Sequence, residues 1–152
     1  MSKPLVRAKP LIYLIGSLRN PEIPHIGIKL RDAGFDVFDD WWSASPDADD
    51  WWQEHETLKG STYREALYGP HATSVFEFDR KYLYQADIAV LVMPAGRSGH
   101  IEYGHMTGHN KPCYVLFTGE PDRYDVMYRF GTDIAFSVTE LIEVLQRNHL
   151  NG

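Results

Sequence analysis

Residues Ala86–Pro112 read A-D-I-A-V-L-V-M-P-A-G-R-S-G-H-I-E-Y-G-H-M-T-G-H-N-K-P. Asp87 leads into the unbroken apolar run Ile88–Val92, the pattern of a parallel strand buried on both faces. A glycine-rich loop, Pro94 to Gly99, follows. Helical spacing then runs over roughly 99–109 and carries Glu102 in what reads as its first turn. An apolar strand, a tight loop and a helix start mark the place where open α/β sheets bind ligands. A lone carboxylate there is a candidate nucleophile or general base.

The same alternation extends both ways. Leu11–Ile15 reads as a first strand, ended by Gly16-Ser17, and residues 21–33 have helical spacing with Gly34 at the C-cap position. Phe35–Phe38 reads as a second strand. Residues 39–70 are irregular and hold all four tryptophans, Trp41, Trp42, Trp51 and Trp52, with one short helix expected near 50–58. Residues 70–85 read as a helix, 112–117 as a fourth strand, 122–130 as a short helix or turn, 134–136 as a fifth strand, and 139–148 as a closing helix. The expectation is an α/β, flavodoxin-like (Rossmann-like), doubly wound parallel sheet of about five strands in the order 2-1-3-4-5, with a Trp-rich insertion after strand two. Residues 1–10 read as a tail and 11–150 as one domain. The strand order puts the switch point between strands one and three, so the loops Gly16–Asn20 and Pro94–Gly99 should meet at one crevice.

Bulk properties narrow the function classes. With 152 residues, 43% hydrophobic and 24% charged, the chain reads as one globular domain with a real core. A net charge of −6 argues against a nucleic-acid duplex as partner, although one or two arginines suffice for a single phosphate. The single cysteine, Cys113, excludes a disulfide framework, and no run reaches membrane-spanning length. The expectation is a cytoplasmic protein without a membrane partner.

Several residues have both a structural and a chemical explanation. Glu102 near a helix N-terminus is favoured by the macrodipole alone, yet Gly96, Gly99 and Gly104 let backbone approach a ligand, and Ser98 and Arg97 suit oxyanions. Asp79 lies among Phe76, Phe78 and Tyr82, either on a helix surface or aimed into the crevice. In Gly16-Ser17-Leu18-Arg19-Asn20, Ser17 and Arg19 can hold a hydroxyl or phosphate, while Asn20 reads as the N-cap and Pro21 as the first helical residue. The Trp/Asp segment, with Asp40, Trp41 and Trp42, is either a satellite core or an aromatic wall that stacks a planar base. His105 and His109 are four apart, but H-I-E-Y-G-H is not H-E-x-x-H and no further ligand set is evident, so no metal or cofactor is expected.

Four elements in order carry a resemblance: L-I-Y-L-I-G-S-L-R from Leu11, F-D-R-K-Y-L-Y-Q-A-D-I-A-V-L-V from Phe78, S-G-H-I-E-Y-G-H-M-T-G-H-N-K-P from Ser98, and Y-D-V-M-Y from Tyr124. Across about residues 11–145 the chain resembles the nucleoside 2-deoxyribosyltransferases and the related 2′-deoxynucleoside 5′-monophosphate N-glycosidases. The resemblance implies that Glu102 is the nucleophile, Tyr13 the strand-one tyrosine beside it, and Asp79 the acid near the leaving base. It implies substrate contacts from Gly16, Ser17, Arg19, Asp40, Trp41, Trp42, Ser98 and Gly99. It also implies contacts from Asp125 and Met127 of a neighbouring subunit in a homo-oligomer with shared sites. Two departures matter. Asp125 stands where the family has an amide, and an acid that transferases often carry just before the Glu is replaced by Arg97-Ser98. Ser17, Arg19 and Ser98 match the phosphate-holding set of the monophosphate hydrolases. The implied activity is cleavage of the N-glycosidic bond of 2′-deoxynucleosides through a covalent deoxyribosyl-Glu intermediate, with transfer of the sugar to a second free nucleobase. A monophosphate hydrolase is the alternative, and a non-catalytic nucleotide-binding domain is the reading from another class.

Overall fold

In a computed structural model, residues 9–17, 19–39 and 48–150 are described. Five strands, β1 (Leu11–Ile15), β2 (Asp36–Phe38), β3 (Ile88–Val92), β4 (Cys113–Leu116) and β5 (Asp133–Ala135), form one sheet in the order β2-β1-β3-β4-β5, parallel throughout. β1, β3 and β4 are buried at every position, which is why they are apolar runs rather than alternating strands. The helices are α1 (Ile23–Asp32), α2 (Ala48–Leu58), α3 (Tyr63–Leu67), α4 (Pro70–Gln85), α5 (Arg97–Gly108) and α6 (Val138–His149). The flavodoxin-like order is the one expected, and the switch point falls between β1 and β3.

The chain divides into two compact units. One runs to Asp39 and resumes at Ala86; the other ends at Gln85. In the first, α1 closes as the sequence suggests. Gly34 takes φ +108, its N–H bonds the Arg31 carbonyl at 3.1 Å, and the Phe35 N–H bonds the Leu30 carbonyl at 3.2 Å, which completes a Schellman motif. The start of α1 differs from expectation. Asn20 is not its N-cap. Its Oδ1 accepts the Glu22 N–H at 3.0 Å in a turn that precedes the helix, and Pro24 rather than Pro21 lies within the first helical turn. α5 and α6 cover opposite faces of the sheet. The Tyr114 hydroxyl meets His149 Nε2 at 2.7 Å and accepts from Asn148 Nδ2 at 3.1 Å, which docks β4 on α6. The neighbouring Cys113, one residue away and so on the other face, lies on the α5 side.

The second unit holds two helices before α4 where one was expected. The extra one, α3, is opened by a capping box: the Thr62 hydroxyl accepts the Glu65 N–H at 3.2 Å and the Glu65 carboxylate accepts the Thr62 N–H at 3.0 Å. α2 packs on α4 through rings. His55 stacks on Trp51 with centroids 5.3 Å apart and meets His71 edge-on at 4.7 Å. Asp40, Trp41 and Trp42 lie outside the described residues.

Candidate active site beside helix α5

Glu102 does not stand in a first turn. α5 begins at Arg97 with Gly96 in extended conformation as N-cap, and its first turn, Arg97–His100, holds no acid. Glu102 is in the second turn, half-buried. The macrodipole falls off within one turn, so helix electrostatics no longer accounts for an acid at this position.

Gly99 orients the helix. A Cβ at Gly99 would lie 3.2 Å from Ile15 Cγ2 and 3.4 Å from Leu91 Cδ1, so this side of α5 lies directly on β1 and β3. At about 100° per residue, Tyr103 and Met106 point within about 40° of the same direction, and both are buried. His100 lies about 100° to one side; Glu102 and Ser98 lie about 60° and 100° to the other. His100 faces the 3-10 turn Val126–Phe130 beyond β4, because its Nε2 meets the Tyr128 hydroxyl at 2.8 Å. Glu102 and Ser98 are therefore on the β1 flank. Tyr13 shares a strand face with Ile15, the face that α5 covers. Glu102 is about 4.5 Å along α5 from Gly99, and Tyr13 about 6.6 Å along β1 from Ile15, both counted away from the carboxyl end of the sheet. The acid and the tyrosine thus occupy one face at similar depth. Tyr13 is 2% exposed, with its ring stacked on Phe38 at 5.2 Å.

The loop after β1 ends at the same edge. The Ser17 hydroxyl accepts the Arg19 N–H at 3.2 Å, which folds the loop back on itself, and Arg19 is exposed. Gly16 sits tight, since a Cβ there would lie 2.7 Å from Ile23 Cδ1. Ser98 is exposed in the first turn of α5, where unpaired backbone N–H groups favour an anion. Asp79 belongs to the second unit, half-buried on α4 in the stripe Ala72, Val75, Asp79, Leu83.

On the other flank of α5, Asp125 caps the 3-10 turn, its Oδ1 accepting the Met127 N–H at 2.9 Å. Three contacts hold this turn to the rest of the first unit. The His100 Nδ1–H donates to the Gly96 carbonyl at 2.8 Å, which leaves Nε2 to accept the Tyr128 O–H. The Tyr103 hydroxyl donates to the Tyr128 carbonyl at 2.8 Å, and the Phe117 ring meets Tyr128 edge-on. Burial, then the neighbouring Cys113 sulfur, pushes the Tyr103 hydroxyl up to about 12, and burial pushes the Cys113 thiol up to about 12. The turn presents Tyr124, Val126, Met127 and Phe130 to solvent, each more than half exposed. Beside it a groove of about 600 Å³ opens beyond β3 and β4, lined in part by Pro94, Phe117, Arg123, Asp125 and Tyr128.

No protein-family model matches this chain, and no curated protein matches its sequence. Solved structures do match. A 2-deoxyribosyltransferase from the psychrotolerant bacterium Bacillus psychrosaccharolyticus aligns with a TM-score of 0.58 at 19% identity, over 87% of this chain and 90% of that one. The chain has the deoxyribosyltransferase fold. The CMP N-glycosidase BcmB of Clostridium botulinum aligns with a TM-score of 0.55 at 15% identity, over 91% and 98% of the two chains. A conserved protein from Enterococcus faecalis aligns at 0.64 and 10% identity, over 93% and 99%. At these identities the likeness is one of fold, and the resemblance read from sequence motifs is matched at that level.

Sequence reasoning missed His100, Tyr103 and Tyr128, whose partners lie 25 to 28 residues away and carry no local signature. It also missed Glu56 on α2, which is 5% exposed and is the buried charged side chain among the described residues. No group of three or more His, Cys, Asp or Glu suited to a metal occurs among the described residues, and none of their helices is long and apolar enough to cross a membrane.

Proposed function

We propose that this protein cleaves the N-glycosidic bond of 2′-deoxynucleosides or their 5′-monophosphates. The observation that carries this reading is the pairing of Glu102 and Tyr13 on one face at the β1/β3 switch point, in a fold shared with enzymes of this chemistry. Glu102 attacks the anomeric carbon as the bond to the base nitrogen breaks, through an oxocarbenium-like transition state. The departing base takes a proton from Asp79, and the sugar remains as an ester on Glu102. A second base attacks the ester and returns its N–H proton to Asp79, which is transfer; attack by water is hydrolysis. Tyr13 orients the carboxylate. Ser17, Arg19 and Ser98 form the anion end of the site, with Gly16 and Gly99 allowing close backbone approach, and Asp40, Trp41 and Trp42 line the base.

Asp125 and Met127 complete the site of a neighbouring subunit in a homo-oligomer. Two features support this. His100, which bonds Tyr128 of the turn that Asp125 caps, points about 160° around α5 from Glu102 of the same chain. The exposed Tyr124, Val126, Met127 and Phe130 are the residue types that interface cores favour. The hydrolase reading has its own support in the Ser17/Arg19/Ser98 set and in the likeness to a CMP N-glycosidase. Incubating a deoxynucleoside, or its monophosphate, with a second free base separates the outcomes. A new deoxynucleoside identifies transfer and release of free sugar identifies hydrolysis. Unchanged substrate under both conditions rejects the proposal.

A further inference from the structure

α5 ends in a histidine pair that the account above does not use. His105 lies in its last turn and His109 is its C-cap, about one turn further on. Residues four apart share a helix face. The spacing alone predicts no metal; what the structure adds is the closeness of the two rings, with centroids 4.2 Å apart and planes tilted by 43°. The His109 Nδ1–H donates to the His105 carbonyl at 2.8 Å. That bond fixes the tautomer, so the lone pair of His109 is on Nε2. A backbone carbonyl on the far nitrogen is the usual support of a metal-bound imidazole, because it orients the ring and makes the other nitrogen more basic. Position adds a second reason. The last carbonyls of a helix carry partial negative charge, so its carboxyl end favours a cation. Lys111, two residues on, turns its ammonium to the Ala86 carbonyl. Another close pair, His55 and His71, meets edge to face, with His55 stacked on Trp51.

We propose that His105 and His109 hold one divalent transition-metal ion of the zinc, nickel and copper group. Imidazole suits these ions, and copper binds tightest. Two protein ligands are fewer than the three of a catalytic zinc or the four of a structural one, so water fills the remaining positions and the ion exchanges readily. The proposal is independent of the nucleoside reading above.

The test is calorimetric titration of Zn²⁺, Ni²⁺ and Cu²⁺ into the untagged full chain near neutral pH. One ion per chain is expected, tightest for Cu²⁺. His109 is exposed, so His109→Gln keeps the fold. It should weaken binding by about tenfold or more, since changes one shell further out already cost about 10- to 100-fold. His71→Gln is the control and should bind as the wild type does. Electron paramagnetic resonance of the Cu²⁺-loaded wild-type protein needs no variant and should show coupling to two imidazole nitrogens. No binding of any of the three ions, or unchanged affinity in His109→Gln, overturns the proposal. A loss of affinity in His71→Gln, or coupling to a single nitrogen, overturns it as well.

Discussion

If Asp125 serves a neighbour's site, two inactive proteins should restore each other. The expectation comes from the helix, because Glu102 and His100, which bonds Tyr128 of the turn that Asp125 caps, point about 160° apart around α5. Glu102→Ala removes the proposed nucleophile. Asp125→Ser shortens the side chain but keeps a hydroxyl that accepts the Met127 N–H, so the cap of the 3-10 turn survives. Each variant alone should be inactive. When the two are unfolded together in equal amounts and refolded, random pairing makes about half of the dimers mixed. In each mixed dimer one site has lost both residues and the other has both intact. Recovered activity should therefore approach about a quarter of wild type per subunit. The assay is base release from a deoxynucleoside, with sedimentation confirming assembly. Activity that stays at background in a mixture shown to contain mixed dimers refutes the shared site, as does full activity of Asp125→Ser alone.

Other outcomes follow from single side chains. Arg19→Ala should lower kcat/KM for a 5′-monophosphate by about 10- to 150-fold, the size of a charge-assisted hydrogen bond of about 1.5–3 kcal/mol, and affect the unphosphorylated nucleoside far less; equal losses on both exclude phosphate recognition. Tyr103→Phe should lower the melting temperature by about 2–8 °C in calorimetry, since it removes one buried bond of about 1–2 kcal/mol, and should speed hydrogen exchange in residues 124–131. Tyr103 and Cys113 both have folded-state pKa values raised to about 12, from 10.0 and 9.0. Their stabilisation is complete below the lower unfolded value and is lost as pH rises toward 12, so denaturant midpoints should be flat at neutral pH and fall steadily above about pH 9, with Cys113→Ala delaying the fall.

The sheet was legible because its signals are local. β1 and β3 are short apolar runs and lie where the pattern puts them, and Gly34 marks the end of α1 by a requirement only its backbone meets easily. The helix starts were less legible. Glu102 was read one turn early because Gly96 caps α5 without a side-chain hydrogen bond, so the helix begins at Arg97 with no sequence marker. α3 did have a marker, Thr62 with Glu65 three residues on, overlooked within a segment read as irregular. Residues 122–130 were expected as a helix or turn and form the 3-10 turn Val126–Phe130, fixed by Asp125 and by its long-range contacts to His100 and Tyr103. Those contacts, like the unpartnered oxygen of Glu56, depend on how distant elements pack, which no local pattern carries.

The central claim is that Glu102 forms a bond to the sugar. Its direct test is mass spectrometry of peptides from protein acid-quenched during turnover of a 2′-deoxynucleoside. The account predicts one deoxyribosyl group on the peptide containing Glu102, with fragmentation placing it on that residue. A deoxyribosyl group on any other residue, or release of base from protein that stays unmodified throughout turnover, contradicts it.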